Sequence, residues 1–325
     1  LAVCSFFVLS GYLSYISAQK KEKFSFLQYY KEKFFHIYLP FMIVIFISVG
    51  VIHYFPKINW LNLKPETTSA LLGYNNFWQL KANLDYFARH VDSPFMHFWY
   101  MGILLQFDLA FPFLYCVLRK IPKKSITCIL LGVFTILSIG YFIYRSMVEE
   151  NQMILYYHTL TRLFSIFLGL FIGAIHSHYH PILFKKIDAR IGFFLYLILL
   201  IVACILIDAN SPYFMIAMIL VTIITGRMIT YGTVLYQTEL FSFDKVLKYL
   251  AKITYEVYLI QYPVIFLFQL VLWKDIIKVP VIIVITVLLS CILHLALSQE
   301  KNKYMKVLQI LMTIIVGGTA GIGFY

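Results

Sequence analysis

Long apolar runs are the feature that most limits how this chain can fold. About ten stretches of roughly 20 apolar residues recur along its 325 residues. They fall near 1–17, 35–55, 98–118, 126–145, 160–177, 190–208, 213–236, 253–272, 279–298 and 307–325. Because each run is long enough to cross a bilayer as a helix, the sequence predicts an all-α, polytopic transmembrane bundle of about ten helices. With 61% hydrophobic and 13% charged residues, a soluble globular protein is excluded.

The net charge of +12 indicates orientation in a membrane. The lysines and arginines cluster in short loops between apolar runs, and every second loop is basic, which is the pattern of cytoplasmic loops. This distribution argues against a nucleic-acid partner. We expect a multi-pass protein of the cell membrane, namely the bacterial plasma membrane, with membrane lipids around it. The basic loops contain Lys20, Lys21, Lys23, Lys31 and Lys33, then Arg119, Lys120, Lys123 and Lys124, then Lys185, Lys186 and Arg190, then Lys245, Lys248 and Lys252, then Lys301, Lys303 and Lys306.

Cysteine and histidine spacing predicts neither disulfides nor a metal site. The five cysteines lie in or beside apolar runs without close pairs, and no histidine pair has zinc-ligand spacing. The HSHYH stretch at 176–180 is interpreted as a basic surface. The chain also begins inside an apolar segment without methionine, so we interpret it as a fragment that lacks one helix before Leu1.

The run 253–272 carries polar residues that are costly in hydrocarbon. A charge such as Glu256 costs roughly 2.5 to 3.5 kcal/mol at mid-depth, so it requires a partner or a water-filled cavity. Tyr255, Tyr258 and Tyr262 share one helical face, and Pro263 releases a backbone carbonyl one turn earlier. The sequence therefore favours a functional site here. The alternative is a buried helix whose tyrosines bond to neighbouring helices.

Other ionisable residues lie within the apolar runs. Asp108 is near the middle of its run, Arg162 is near an outer end, and Arg227 lies inside the seventh run. Intramembrane charges are expected to pair or to line water-filled paths, so either Asp108 or Glu256 is a candidate partner for either arginine. A purely structural ion pair remains the alternative to a catalytic one.

The segment LYYHTLTR at 155–162 places two tyrosines at the predicted outer surface. Tyr156 and Tyr157 fit an ordinary aromatic belt. They also fit an acyl acceptor or proton shuttle, with His158 as a further candidate, because the cation of Arg162 would stabilise a nearby anion.

The first cytoplasmic loop ends in a cationic pair. Lys33 and His36 are three residues apart on a helix that enters the membrane. Such a pair suits the phosphates of an acyl-CoA. The alternative is that both residues only reflect the basic character of cytoplasmic loops.

Four motifs carry a family resemblance over essentially the whole chain. They read FFVLSGYL at 6–13, KFFHIYLP at 33–40, HFWY at 97–100 and TYEVYLIQYP at 254–263. The chain resembles the membrane-bound acyltransferase 3 family, which implies that residues 1–325 form one transmembrane domain of this type. LYYHTLTRLFSIFLG and YLIQYPVIFLFQ are most similar to the peptidoglycan O-acetyltransferase branch, in which an extracytoplasmic SGNH esterase-like domain follows the last helix.

The resemblance implies roles for individual residues. Lys33 and His36 stand where family arginines engage the cytoplasmic acyl donor, acetyl-CoA. Tyr156 or Tyr157, together with Arg162, stands at the outer acyl hand-over site. The family pattern R-x-x-R is Lys and His here, which leaves a weaker or changed donor open. The family's catalytic histidine belongs to a helix before the S-G-[FY] element, so this chain alone is expected to be inactive.

These observations lead to three hypotheses. The first is a membrane O-acyltransferase that moves acetyl from cytoplasmic acetyl-CoA to a carbohydrate hydroxyl of peptidoglycan or a surface polysaccharide, without a metal. A polar seam of Tyr, Arg, Glu256 and Gln would carry the acyl group, because CoA itself is too large and charged to cross. The second is an exporter of polysaccharide or lipid-linked sugar. The third is a structural membrane partner of a secreted enzyme.

Overall fold

The computed structural model describes residues 1–53, 60–82, 93–149, 151–179, 186–207, 211, 213–237, 245–271 and 278–298. Within these ranges the chain is helical and has no strand, which confirms the all-α fold class. The α-helices are α1 Ala2–Gln19, α2 Phe26–Lys33, α3 Leu39–His53, α4 Trp60–Leu71, α5 Asn75–Lys81, α6 Trp99–Arg119, α7 Lys124–Val148, α8 Gln152–Tyr157, α9 Leu163–Tyr179, α10 Lys186–Leu206, α11 Phe214–Gln237, α12 Lys245–Val271 and α13 Lys278–Ser298.

Most of the predicted spans are confirmed. In the described part of the chain, 8 helical segments are long and apolar enough to cross a membrane. Residues 253–271 of the predicted run 253–272 belong to α12, which is 27 residues long but is not one of the eight segments. Glu256, Gln261 and the tyrosines lower the mean hydropathy of this part of α12. The predicted run 307–325 lies outside the described residues.

The chain forms two compact units. Unit 1 comprises 1–26 and 103–242, and unit 2 comprises 27–102 and 243–325. In unit 1, α9 packs against α1 and α7, and α11 packs against α1, α9 and α10. In unit 2, α12 packs against α3 and α13, and α4 packs against α5.

A close crossing of α1 and α9 organises unit 1. A Cβ atom at Gly11 would lie 2.2 Å from the carbonyl oxygen of Ile166, and one at Gly169 would lie 2.1 Å from that of Val8. Only glycine permits this approach, which is the usual use of small residues between membrane helices. The glycine of the FFVLSGYL motif is therefore explained by packing.

Hydroxyl pairs add polar links to the same bundle. Ser5 and Thr225 hydroxyls are 2.7 Å apart between α1 and α11, and Ser165 and Thr222 hydroxyls are 2.9 Å apart between α9 and α11. Such interhelical hydrogen bonds each contribute about 0.6 kcal/mol in membrane proteins. They specify which helix faces meet, because apolar side chains alone bind lipid and helix equally well.

Unit 2 contains structure that the sequence analysis treated only as a long outer loop. Residues 60–82 fold into α4 and α5, with a turn between them at Gly73, whose φ is 74°. This left-handed conformation favours glycine. A 3₁₀ turn, Met96–Phe98, leads into α6. A π-helical turn, Phe34–Tyr38, joins α2 to α3.

Candidate functional site

The six residues predicted to form the site divide between the two units. Tyr156, Tyr157 and Arg162 belong to unit 1, and Lys33, His36 and Glu256 belong to unit 2.

Arg162 is the central residue of the unit 1 cluster. It ends the 3₁₀ turn Leu160–Arg162, directly before α9, and only 1% of it is exposed. Its Nε donates to the carbonyl of Tyr156 at 2.9 Å, and its Cζ lies 4.4 Å from the centre of the Tyr156 ring. Its Nη1 lies 2.8 Å from the sulfur of Met218 and 3.6 Å from that of Cys4. The guanidinium is thus held by a carbonyl dipole, an aromatic face and polarizable sulfur atoms.

Tyr156 and Tyr157 end helix α8. The Asn151 side chain accepts from the amide of Met153 at 2.9 Å and caps this short helix. Tyr156 is 3% exposed and Tyr157 is fully buried, and their rings meet edge to face with centroids 5.7 Å apart. Their burial in unit 1 does not support the aromatic-belt alternative. The structure does bring Tyr156 together with Arg162, as predicted.

The residues between the tyrosines and the arginine shape the turn. The Thr161 hydroxyl is 2.8 Å from the Leu155 carbonyl and 2.7 Å from the His158 carbonyl. His158 Nδ1 accepts from the amide of Leu160 at 3.2 Å. Burial, followed by the charge of Arg145, lowers the pKa of His158 below its usual value. This shift favours the neutral imidazole.

In unit 2, Glu256 has a partner that the sequence analysis did not consider. Its Oε1 lies 2.9 Å from Nδ1 of His294, which joins α12 to α13. Glu256 is 7% exposed, and its Oε2 has no hydrogen-bond partner among the described residues. We expected Arg162 or Arg227 to be the partner of Glu256. In the structure the partner is His294. Arg227 itself is exposed on α11, and Asp108 is buried on α6.

The three tyrosines of α12 occupy one face, as predicted. Tyr255 donates to the carbonyl of Ile37 at 2.7 Å, and Tyr258 donates to the carbonyl of His97 at 2.6 Å. Tyr262 stacks on the imidazole of His97, with centroids 4.6 Å apart. These bonds to neighbouring elements correspond to the structural alternative for Tyr255 and Tyr258. They also bring His97 into contact with α12.

Lys33 and His36 lie where α2 passes into the π-helical turn. The Nζ of Lys33 is 5.4 Å from the centre of the Tyr29 ring, and Nδ1 of the exposed His36 is 2.8 Å from the Glu32 carbonyl. Each side chain contacts the residue four positions earlier. Donor binding by this pair stays a prediction.

A buried polar cluster in the 60–97 segment was missed by the sequence analysis. Glu66 is 1% exposed, and its Oε1 accepts from Gln79 Nε2 at 3.1 Å and from the Ser93 hydroxyl. Asn75 donates to the Ser69 hydroxyl at 3.1 Å. Burial raises the pKa of Glu66 to about 8, against the lowering effect of its hydrogen bonds to Ser93 and Gln79. This segment has no long apolar run, so hydropathy gave no sign of the cluster. Hydropathy identifies membrane spans and does not identify buried polar networks.

Comparison with known proteins identifies the family. The sequence model of a family described as an acyltransferase domain matches residues 1–295. The chain belongs to this acyltransferase family. The resemblance carried by the four motifs is thereby confirmed, and the helical spans agree with a membrane protein.

Similar curated proteins are O-acetyltransferases of Staphylococcus aureus. The O-acetyltransferase OatA of strain NCTC 8325 is 27% identical over 192 residues, which cover 57% of this chain and 31% of OatA. A putative O-acetyltransferase of strain COL is 27% identical over 282 residues, which cover 82% of this chain and 46% of that relative. The chain thus spans less than half the length of these relatives. No solved structure matches.

Proposed function

We propose that this chain is the membrane domain of an O-acetyltransferase of the bacterial plasma membrane. It would take acetyl from cytoplasmic acetyl-CoA and deliver it to a carbohydrate hydroxyl of the cell envelope, in peptidoglycan or a surface polysaccharide. The observation that carries the proposal is the buried contact of Arg162 with Tyr156 inside a helical unit of an acyltransferase family member. The names of the relatives support acetyl as the transferred group.

The chemistry of acyl transfer explains why a buried cation is useful. The acceptor oxygen forms a bond to the acetyl carbonyl carbon, the bond from that carbon to sulfur breaks, and the hydroxyl proton passes through a base to the leaving thiolate. Negative charge develops on the carbonyl oxygen in between, and a preorganised donor in a dry site stabilises it. Arg162 can supply that stabilisation, and the phenol of Tyr156 or Tyr157 can serve as an intermediate acyl acceptor.

The donor side is assigned to the basic loop. Lys33 and His36 follow the predicted cytoplasmic stretch, and both side chains are at least partly exposed. Their charges would attract the phosphates of CoA, and salt would weaken that attraction. Glu256, with its bond to His294, is the further acid–base candidate in unit 2.

The test follows labelled acetyl in membrane vesicles that contain the complete polypeptide encoded by the gene. Vesicles are given acetyl-CoA labelled in the acetyl group on the CoA-accessible face, and peptidoglycan sacculi or surface polysaccharide on the other. Label should leave CoA and appear as an alkali-labile ester on the carbohydrate. Label that never leaves CoA would contradict the proposal.

Matched variants separate acyl transfer from export. Tyr157→Phe and Lys33→Ala should lower acetyl transfer, whereas Tyr144→Phe on α7 and Lys31→Ala on α2, which alter exposed side chains, should not. An exporter should move polysaccharide equally well in all four variants. Transport without acetylation in the wild type would favour the exporter, and a loss of neither activity in any variant would favour a structural partner.

A further inference from the structure

The predicted cytoplasmic end of unit 1 carries a dense group of cations that the proposed mechanism does not use. Residues 20–24, which follow α1, and residues 119–124, which join α6 to α7, contain seven cations and one carboxylate, Glu22. All of these cations are exposed except Lys21, which is half-buried. We call them the unit 1 basic surface, and they are Lys20, Lys21, Lys23, Arg119, Lys120, Lys123 and Lys124.

Side-chain contacts hold the two segments against each other. Arg119 Nη2 donates to the backbone carbonyl of Glu22, and the Tyr115 hydroxyl donates to Gln19 Oε1 at 3.0 Å. The centres of the Phe24 and Tyr115 rings are 4.8 Å apart. The chain that follows α1 therefore lies along the end of α6, and the cations of both segments belong to one surface.

The charge of this surface is poorly balanced by the two segments themselves. Arg119 bonds the carbonyl of Glu22, so the Glu22 carboxylate is the single anionic side chain that these segments supply. Neighbouring cations such as Arg119 and Lys120 repel each other, because salt screens charges only beyond about 8 to 10 Å. The usual excess of cations in cytoplasmic loops explains their sign. It does not require two loops to be bonded together with their cations on one surface.

An exposed apolar stripe on α6 leads to the same surface. Phe113 and Val117 are four residues apart on one helix face, and they are 62% and 63% exposed. The Phe26 ring packs on Phe113 with centroids 5.1 Å apart. Lys120 follows Val117 by one turn, and its amide donates to the Val117 carbonyl at 3.2 Å. Because α6 belongs to a membrane-spanning segment, the stripe faces acyl chains and the cations lie at the height of the headgroups.

We propose that the unit 1 basic surface binds the headgroup of an anionic phospholipid of the inner leaflet, with an acyl chain along Phe113 and Val117. The lipid phosphate accepts hydrogen bonds from cations of both segments, including Lys20 and Lys120. Clusters of basic residues next to the cytoplasmic end of a membrane helix are typical of anionic-lipid recognition. The bound lipid offsets the repulsion between the segments and holds the ends of α1 and α6 together. This role is independent of the proposed acetyl transfer.

The test measures which phospholipid stays bound to the complete polypeptide after extraction from vesicles of phosphatidylglycerol and phosphatidylcholine in equal amounts. Native mass spectrometry gives the ratio of the two bound lipids. A basic residue near an anionic surface contributes about fivefold in binding, so the double variant Lys20→Gln/Lys120→Gln should lower the ratio about 25-fold. Glu22→Gln removes the opposing carboxylate and keeps the carbonyl that Arg119 bonds, so it should raise the ratio.

The matched control is the double variant Lys31→Gln/Lys252→Gln. It removes the same charge from exposed side chains of unit 2 and should change the ratio little. The thermal midpoint provides a second readout, because a ligand that binds only the folded state stabilises it. The wild type should melt at a higher temperature with phosphatidylglycerol than in phosphatidylcholine alone, and Lys20→Gln/Lys120→Gln should reduce this difference.

Two results would overturn the lipid assignment. Equal losses in the two double variants would mean that total charge alone attracts the lipid. Release of phosphatidylglycerol by excess CoA would assign the surface to a soluble phosphate compound. If Lys20→Gln/Lys120→Gln does not fold, Glu22→Gln decides the question, since an unchanged or lower ratio in that variant contradicts the proposal.

Discussion

Unit 1 and unit 2 each bury an ionisable group among helices, but they stabilise it in different ways. In unit 1, Arg162 contacts a backbone carbonyl, the face of Tyr156 and two sulfur atoms. In unit 2, Glu256 bonds to His294 at 2.9 Å, a side chain on the neighbouring helix α13. The first arrangement holds a permanent cation, because arginine does not lose its proton in proteins. The second arrangement places a carboxyl group beside an imidazole, and both are side chains of the acid–base type.

Under the proposed function, this difference would separate two tasks that acyl transfer requires. Charge stabilisation needs a fixed cation, and proton movement needs groups that can change protonation. Unit 1 carries the fixed charge. Unit 2 carries Glu256 and His294. The following predictions test this division, from the largest expected effect to the smallest.

The crossing that supports the Arg162 cluster should be the most sensitive point. Gly169→Leu places side-chain atoms where a Cβ alone would be 2.1 Å from the Val8 carbonyl oxygen. Overpacking of this kind costs about 1 to 3 kcal/mol or more, and backbone cannot yield as a side chain would. We expect little folded protein, as measured by yield and thermal midpoint in detergent. Gly140→Leu on α7, where no atom lies within 4 Å, should fold normally. Equal behaviour of the two variants would contradict a glycine-dependent crossing.

Arg162→Lys should lower acetyl transfer on the order of 10²-fold, the effect typical of removing one charge-stabilising donor. Lysine keeps the charge but not the planar group that lies on Tyr156 and bonds its carbonyl. Steady-state kinetics with labelled acetyl-CoA measure the effect. Arg190→Lys at an exposed site on α10 is the matched control. Retention of wild-type kcat by Arg162→Lys would show that the cluster is only structural.

Glu256→Gln and His294→Gln should each lower kcat about tenfold, which corresponds to about 1.4 kcal/mol. Because the two residues act through one hydrogen bond, the double variant should also lose about tenfold and not a hundredfold. The measurement is a double-mutant cycle on kcat. Additive losses would mean that the pair does not act as a unit.

Glu66→Gln should change how strongly the stability of the fold depends on pH. It should change the stability at acidic pH less. The pKa of Glu66 is raised to about 8 in the folded state, from a usual value of 4.5. The folded state therefore binds more protons than the unfolded state between these values, and the stability that this proton contributes is lost as pH rises towards about 8. The thermal midpoint of the wild type should fall from pH 5 to pH 8. Glutamine mimics the protonated acid, so the variant should show a smaller fall. Identical slopes in both proteins would refute burial of a protonated Glu66.

Hydropathy was sufficient for the spans, because each span is a local property of about 20 residues. Hydropathy was less informative for a helix such as α12, which also contains polar and charged residues. The 60–82 segment shows the limit most clearly. Its helices are too short and too polar to be distinguished from a loop, and Glu66 has no sequence neighbour that marks it as buried. Its bonds to Gln79 and Ser93 join residues that are 13 and 27 positions away.

The candidate site residues show the same limit, because contacts between residues near in sequence were predictable and contacts between distant residues were not. Tyr156 and Arg162 are six positions apart, so their association in unit 1 was accessible from sequence. The partner of Glu256 was not, because His294 is 38 positions away on another helix. His97 appeared in the sequence only as part of the HFWY motif. Its contacts with Tyr258 and Tyr262 become visible only when α12 packs against it.

The sequence by itself determined that this chain is a helical membrane protein and which residues carry the family motifs. Periodicity, length and loop charge are local quantities, and they can be obtained from the sequence without knowing how the helices pack. Tertiary structure decided which ionisable groups meet. Helix pairing is set by close approaches such as Gly11 and Gly169 and by hydroxyl contacts between distant segments. Lipid solvates apolar helix faces about as well as other helices do, so hydrophobicity alone cannot specify those partners.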